Sequence, residues 1–194
     1  MFSIRFVKDL LLHQLRSKNR HGLHSPFVYK LVDTVIYDFR AKNVYTEVEK
    51  LRKKHINDNL PKIDQLLYRL VASLKPGNLV ELGSVTETTK LYLQKATPAA
   101  FLSTNISSIE QLDCVLIAER DGRRVLKYFE ECLPKVHENT MLVLTDIYRT
   151  GEMKQVWKDI KAHPKVTVTV DLFWIGLVFF RKGQVREDFW IKFA

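Results

Sequence analysis

Glycine is scarce in this chain: 7 of 194 residues, beside 6 prolines and 2 cysteines. So little cysteine excludes a disulfide framework and a four-thiolate zinc site. Cys114 and Cys132 lie in apolar stretches and read as buried thiols of a reducing compartment. No run approaches the roughly 18–20 consecutive apolar residues that a membrane span requires. The apolar N-terminal stretch is interrupted by Arg5, Lys8 and Asp9 and has no small-residue cleavage site, so it does not read as a signal peptide. A cytoplasmic location is expected. There is no G-x-S-x-G element, no phosphate-binding loop of the GxxxxGK type, no zinc spacing, no internal repeat and no low-complexity segment.

The residues that are present suffice for a full core, since 46% are hydrophobic. The formal charge is +9 and unevenly spread, with 12 Lys/Arg against 6 Asp/Glu in residues 1–60 and 19 against 16 in residues 61–194. A basic arm of this kind suits nucleic acid, anionic lipid or an acidic partner, or is a solvated face.

Where the few glycines fall matters most at Gly77-Asn78-Leu79-Val80-Glu81-Leu82-Gly83-Ser84-Val85-Thr86-Glu87. An apolar run ends in Glu-Leu-Gly and a helical pattern follows, which is the strand, tight turn and helix that open an α/β nucleotide-binding unit. Such a turn brings backbone close to its ligand and uses glycine to do so. Here Gly83 stands alone, and Glu87 occupies the place of a second glycine.

Ile4, Phe6, Val7, Leu10, Leu11 and Leu15 recur at helical spacing among Arg5, Lys8, Arg16 and Lys18, which predicts a basic amphipathic helix. Its apolar stripe suits docking on its own domain, self-association, or a membrane surface. His21-Gly22-Leu23-His24 is a turn, and Ser25-Pro26 caps the next helix, which runs to about Tyr37. Two histidines make a poor metal site, and no metal is expected. Thr46 and Glu49 have capping-box spacing, the charge run Arg52-Lys53-Lys54 follows, and Asn57 to Pro61 breaks the chain. A strong amphipathic helix then runs from Ile63 to Leu74.

Strands are predicted at 79–82, 112–118, 141–145, 166–172 and 175–181, with helices at 86–96, 121–132 and 152–162. Residues 100–104 read as a short strand, and 189–193 as a last extended piece. Only Phe173-Trp174 separates the pair at 166–172 and 175–181, so that pair is an antiparallel hairpin. Residues 105–111 are too few for a parallel crossover, which takes a dozen or more. Either a strand and helix are missing there or 100–104 is not a sheet strand.

The segments His21–Phe27, Leu79–Gly83, Lys127–Pro134 and His163–Phe173 together resemble bacterial class I S-adenosylmethionine (SAM)-dependent methyltransferases with an N-terminal His-Gly-x-His-Ser-Pro-Phe segment. The resemblance implies a Rossmann-like class I methyltransferase fold: α/β, a mixed sheet ending in an antiparallel hairpin, reduced in strand number, plus N-terminal helices. It also implies a helical extension over 1–60 and an α/β domain over 61–194. By the same resemblance Glu81, Gly83, Ser84 and Asn105 are the cofactor-binding positions, and Asp146 and Tyr148 the catalytic ones. The cofactor would be SAM. The sequence departs from the family pattern at several of these places. Ser84-Val85-Thr86-Glu87 replaces the glycine-rich turn, and Glu87 would repel the SAM carboxylate. Asn105 stands where an acid binds the ribose hydroxyls and cannot accept two hydrogen bonds as a carboxylate does. Ala118 takes the place of an aspartate, with Glu119 beside it.

Packing motifs survive while every side of the cofactor site is altered. The reading that follows is a degenerate, non-catalytic member of the fold serving as a binding or assembly module. It would use its basic N-terminal helices and the hairpin aromatics Phe173, Trp174 and Phe179 to meet a protein partner or itself. The alternative is an active SAM-dependent methyltransferase with an atypical pocket. A basic nucleic-acid-binding protein is the lesser alternative, without interleaved stacking aromatics or a recognised motif.

Overall fold

The computed structural model describes residues 3–19, 22–52 and 60–193. His21, Lys53, Lys54 and the 57–59 part of the expected chain break lie outside them. The chain forms two compact units, one of residues 1–19, 78–83 and 102–194, the other of residues 20–77 and 84–101.

The first unit carries the sheet. Its strands are β1 (Asn78–Gly83), β2 (Phe101–Ser103), β3 (Leu112–Ala118), β4 (Val136–Thr145), β5 (Val168–Asp171), β6 (Ile175–Phe179) and β7 (Glu187–Trp190). Their order is β2-β1-β3-β4-β6-β5-β7. β1, β3 and β4 run parallel, β6 is antiparallel to both β4 and β5, and β7 is parallel to β5. The predicted hairpin is therefore the β5–β6 pair. β2 is a sheet strand at one edge, so the missing-element reading of 105–111 holds: a single short turn at Ile106–Ser108 leads from β2 to β3, on the far side of β1. β7 lengthens the opposite edge.

Val80, Leu82, Val115, Ile117, Leu142, Leu144 and Val178 alternate along their strands and point to one face. Onto them pack Val125 and Phe129 of α6 (Gly122–Cys132), and Met153, Trp157 and Ile160 of α7 (Gly151–Ala162). Asp121 and Thr150 cap these two helices by accepting from Arg124 N and Met153 N. Cys114 and Cys132 are buried free thiols, as expected.

α1 (Ile4–Arg16) also belongs to this unit, but its apolar stripe does not dock on it, the first of the three fates that the sequence allowed. Phe6, Asp9 and His13 are buried, whereas Ile4, Val7, Leu11, Leu12 and Leu15 are exposed. The polar residues go inward because the hairpin offers them a partner: His13 Nε2 lies 3.0 Å from the carboxylate of buried Asp171. Phe6 packs edge-on against Phe173 at 5.0 Å.

The second unit is helical: α2 (Pro26–Leu31) leading into a π-turn at Val32–Ile36, α3 (Asn43–Leu51), α4 (Pro61–Leu74) and α5 (Glu87–Ala96). Ser25 caps α2 as expected, accepting from Val28 N. The wide turn leaves carbonyls at its end, and Arg69 of α4 satisfies two of them, donating to Val35 O at 2.8 Å and Ile36 O at 3.1 Å. Buried Asp64 accepts from Arg52 and from Thr89, each at 2.7 Å. The expected capping box does not form. α3 begins at Asn43, so Thr46 lies inside it, and Glu49 accepts instead from the Tyr92 hydroxyl and pairs with Arg52. No helix among the described residues is long and apolar enough to cross a membrane.

Candidate functional site

In an open α/β sheet, ligands meet the carboxyl ends of the parallel strands. Here these ends are Gly83 of β1, Ala118 of β3 with Glu119 and Arg120 beyond it, and Thr145 of β4 with Asp146 beyond it.

Gly83 has φ +85°, in the left-handed region where a side chain is strained. A Cβ on it would stand 2.4 Å from the Ala118 carbonyl oxygen. The close approach is thus to the neighbouring strand, and strand packing by itself accounts for glycine. Glu81 is half-buried within β1, and Ser84 is exposed. In the helical unit, Thr86 caps α5 by accepting from Thr89 N at 3.2 Å. Glu87 opens that helix with its carboxylate exposed and paired to Lys90 at 2.8 Å.

Asp146 also has a left-handed backbone, φ +56°, in the turn that leaves β4. Its N–H donates to Trp174 O and its carbonyl accepts from Arg149 N, each at 2.8 Å. Its carboxylate accepts from Arg120 Nε at 2.7 Å. Glu119 accepts from the backbone N–H groups of Arg120 and Asp121 and pairs with Arg124 at 3.1 Å. The expected acid at the end of β3 therefore shapes a turn and a helix start.

Tyr148 goes elsewhere. Its hydroxyl donates to Asp171 Oδ2 at 2.7 Å and its ring stacks on Phe173 with centroids 4.9 Å apart. Burial, and then the Asp171 charge, push its phenol well above the ordinary value, so it holds its proton. Asp146 and Tyr148, the two expected catalytic positions, bond different partners. Asn105 is exposed at the start of the β2–β3 turn, where its amide oxygen accepts from Ser107 N at 2.9 Å.

Asp171 is a buried carboxylate with several partners. It accepts from Phe173 N of its own turn at 3.0 Å, and also from Tyr148 and, at 2.9 Å, from Trp157 Nε1. Burial alone would raise its pKa, but the hydrogen bond and charge of His13, with the Tyr148 and Phe173 donors, hold it below the ordinary value. Sequence reading missed Asp9, His13 and Arg120. The available signal for the first two was their 4-residue spacing on the helix face that also holds Phe6. The hairpin aromatics are not an open surface: Phe173 and Phe179 are buried and Trp174 half-buried, with Phe173 and Trp174 packed on Phe6. Among the described residues no three His, Cys, Asp or Glu side chains are grouped to hold a metal ion.

No protein-family model matches the chain. No curated protein sequence matches it either. Solved structures do. An O-methyltransferase from Bacillus cereus in complex with SAH is 13% identical with a TM-score of 0.51, over 77% of this chain and 94% of that one. The SAH-bound methyltransferase PaMTH1 from Podospora anserina is 7% identical with a TM-score of 0.57, over 82% and 97%. The O-methyltransferase TomG from Streptomyces achromogenes, involved in tomaymycin synthesis and in complex with SAM, is 10% identical with a TM-score of 0.50, over 84% and 99%. At such identities the likeness is one of fold. The chain has the Rossmann-like α/β fold of SAM-dependent methyltransferases.

Proposed function

We propose that this is a methyltransferase-fold protein whose catalytic site has lapsed and whose scaffold serves as a binding or assembly module. The observation that carries the reading is the Arg120–Asp146 pair. The one acid retained beyond β4 is held at 2.7 Å by a guanidinium from beyond β3. A carboxylate oxygen already bonded by a guanidinium is committed to a contact within the protein rather than turned to a substrate.

The neighbouring groups support the same conclusion. The residues do not fit SAM. The end of β2, Phe101 to Asn105, supplies no acid for the ribose hydroxyls, and the Asn105 amide oxygen is used within its own turn. The only glycine of the β1 turn is required by the Ala118 carbonyl. Tyr148 donates inward to Asp171 and keeps its proton.

Calorimetric titration of the purified protein with SAM and with S-adenosylhomocysteine tests this. The expected outcome is no heat of binding and no thermal shift at millimolar ligand. Micromolar affinity, about −8 kcal/mol, would overturn the proposal and restore the active methyltransferase with an atypical pocket.

A further inference from the structure

We infer that the open face of α1 seats this protein on an anionic lipid surface. The inference names the partner of the proposed module but does not depend on loss of SAM binding.

The face is built to stay outside. Arg5 donates to the carbonyls of Tyr148 and Arg149, Lys154 pairs with Asp9 at 2.5 Å, His13 bonds Asp171, and Lys18 N donates to Trp190 O. These contacts hold α1 by its polar side. They turn Ile4, Leu11 and Leu15 to solvent at 91%, 57% and 82% exposure, together with Val7 and Leu12. A soluble chain leaves so continuous an apolar stripe uncovered where a partner is meant to cover it.

The charge pattern says which partner. Lys8 lies within the stripe, beside Val7, Leu11 and Leu12, and has no ion-pair partner among the described residues. Arg16 and Lys18 are exposed at its end. Asp9 is the only acid in residues 1–19, and it is buried and neutralised by Arg5 and Lys154. The open arc is thus apolar and cationic with no acid, complementary to an anionic apolar surface.

A second copy fits poorly. Two-fold packing of this face would bring Lys8 toward its own image with nothing negative to pair it. The stripe, about 20 Å by 10 Å from helix geometry, also falls well short of the roughly 800 Å² per partner of a stable interface. A bilayer accepts Lys8 by letting its stem lie among apolar groups while the ammonium reaches the headgroups.

The test is co-sedimentation of the full chain with vesicles of phosphatidylcholine containing phosphatidylglycerol, against phosphatidylcholine alone. Binding to the anionic vesicles only, weakened by salt, is expected. Lys8→Ala should weaken it roughly fivefold, and the double substitution Leu11→Asp with Leu15→Asp should abolish it. These positions are exposed, so the variants keep the wild-type melting profile, and that control is run on each. No binding to anionic vesicles, undiminished binding by the double variant, or a dimer in sedimentation equilibrium that the double variant dissolves would each overturn the inference. SAM titration reports separately. A protein that binds both vesicles and SAM refutes only the lapsed site, and one that binds neither refutes only the lipid surface.

Discussion

Asp171 shows what a single buried charge asks of its surroundings. Its carboxylate accepts from His13, Tyr148, Trp157 and the Phe173 backbone, so the lone pairs are used and the charge is tolerated. Taking away one partner leaves the rest of that cost in place. His13→Ala, which leaves a buried acceptor short of a donor, should destabilise the protein by about 1–3 kcal/mol, read from chemical denaturation. Tyr148→Phe, which removes one neutral donor, should cost nearer 1–2 kcal/mol. The pH dependence has a definite sign. The carboxyl is held below its ordinary value of 3.8 in the folded protein, so its stabilising contribution is complete above that value. It is lost as pH falls below 3.8 through the depressed folded value. The denaturation midpoint of the wild type should therefore fall more steeply than that of Asp171→Asn in this acid range. Parallel slopes would mean that Asp171 is not the group titrating.

Two glycines fix how the sheet meets its neighbours, and each gives an element-scale prediction. At Gly176 of β6 a Cβ would stand 2.6 Å from the Trp157 ring of α7, so Gly176→Ala should cost about 1–3 kcal/mol by overpacking. At Gly83 the obstacle is backbone, and φ +85° adds conformational strain, so Gly83→Ala should destabilise more, in the same thermal melts. Gly151, at the start of α7 with nothing within 4 Å, is the internal control and should tolerate alanine without loss. Most elements were legible at this scale. The strand Leu112–Ala118 is legible from the apolar run Cys114 to Ala118, and the hairpin from the shortness of Phe173-Trp174. The starts of β4 and α3 were not, because Val136–Thr140 and Asn43–Tyr45 carry polar residues whose conformation is decided by neighbouring elements. α1 was found, but not which of its faces the fold would bury. Periodicity locates an apolar face and cannot reveal that a carboxylate 158 residues away recruits the polar one.

The same limit governs the site at the scale of the whole molecule. The Glu-Leu-Gly motif and the strand pattern located the carboxyl ends of β1, β3 and β4, and the solved methyltransferase structures share that architecture. The Arg120–Asp146 pair was not legible, since it joins residues 26 apart across two strand ends. The division of the chain into two units was equally hidden, because the helical unit is assembled from 20–77 and 84–101, on either side of β1. That division makes a prediction about unfolding. Both cysteines, Cys114 and Cys132, and all three tryptophans, Trp157, Trp174 and Trp190, belong to the sheet unit. Burial pushes each thiol up to about 12, so neither is a nucleophile near neutral pH while the sheet is intact. Thiol labelling in rising denaturant should therefore stay negligible and then begin over the same range in which tryptophan fluorescence shifts, since both report one unit. Labelling that precedes the fluorescence change would mean that the strand pair β1–β3, where Cys114 faces Leu79, opens locally before the unit unfolds.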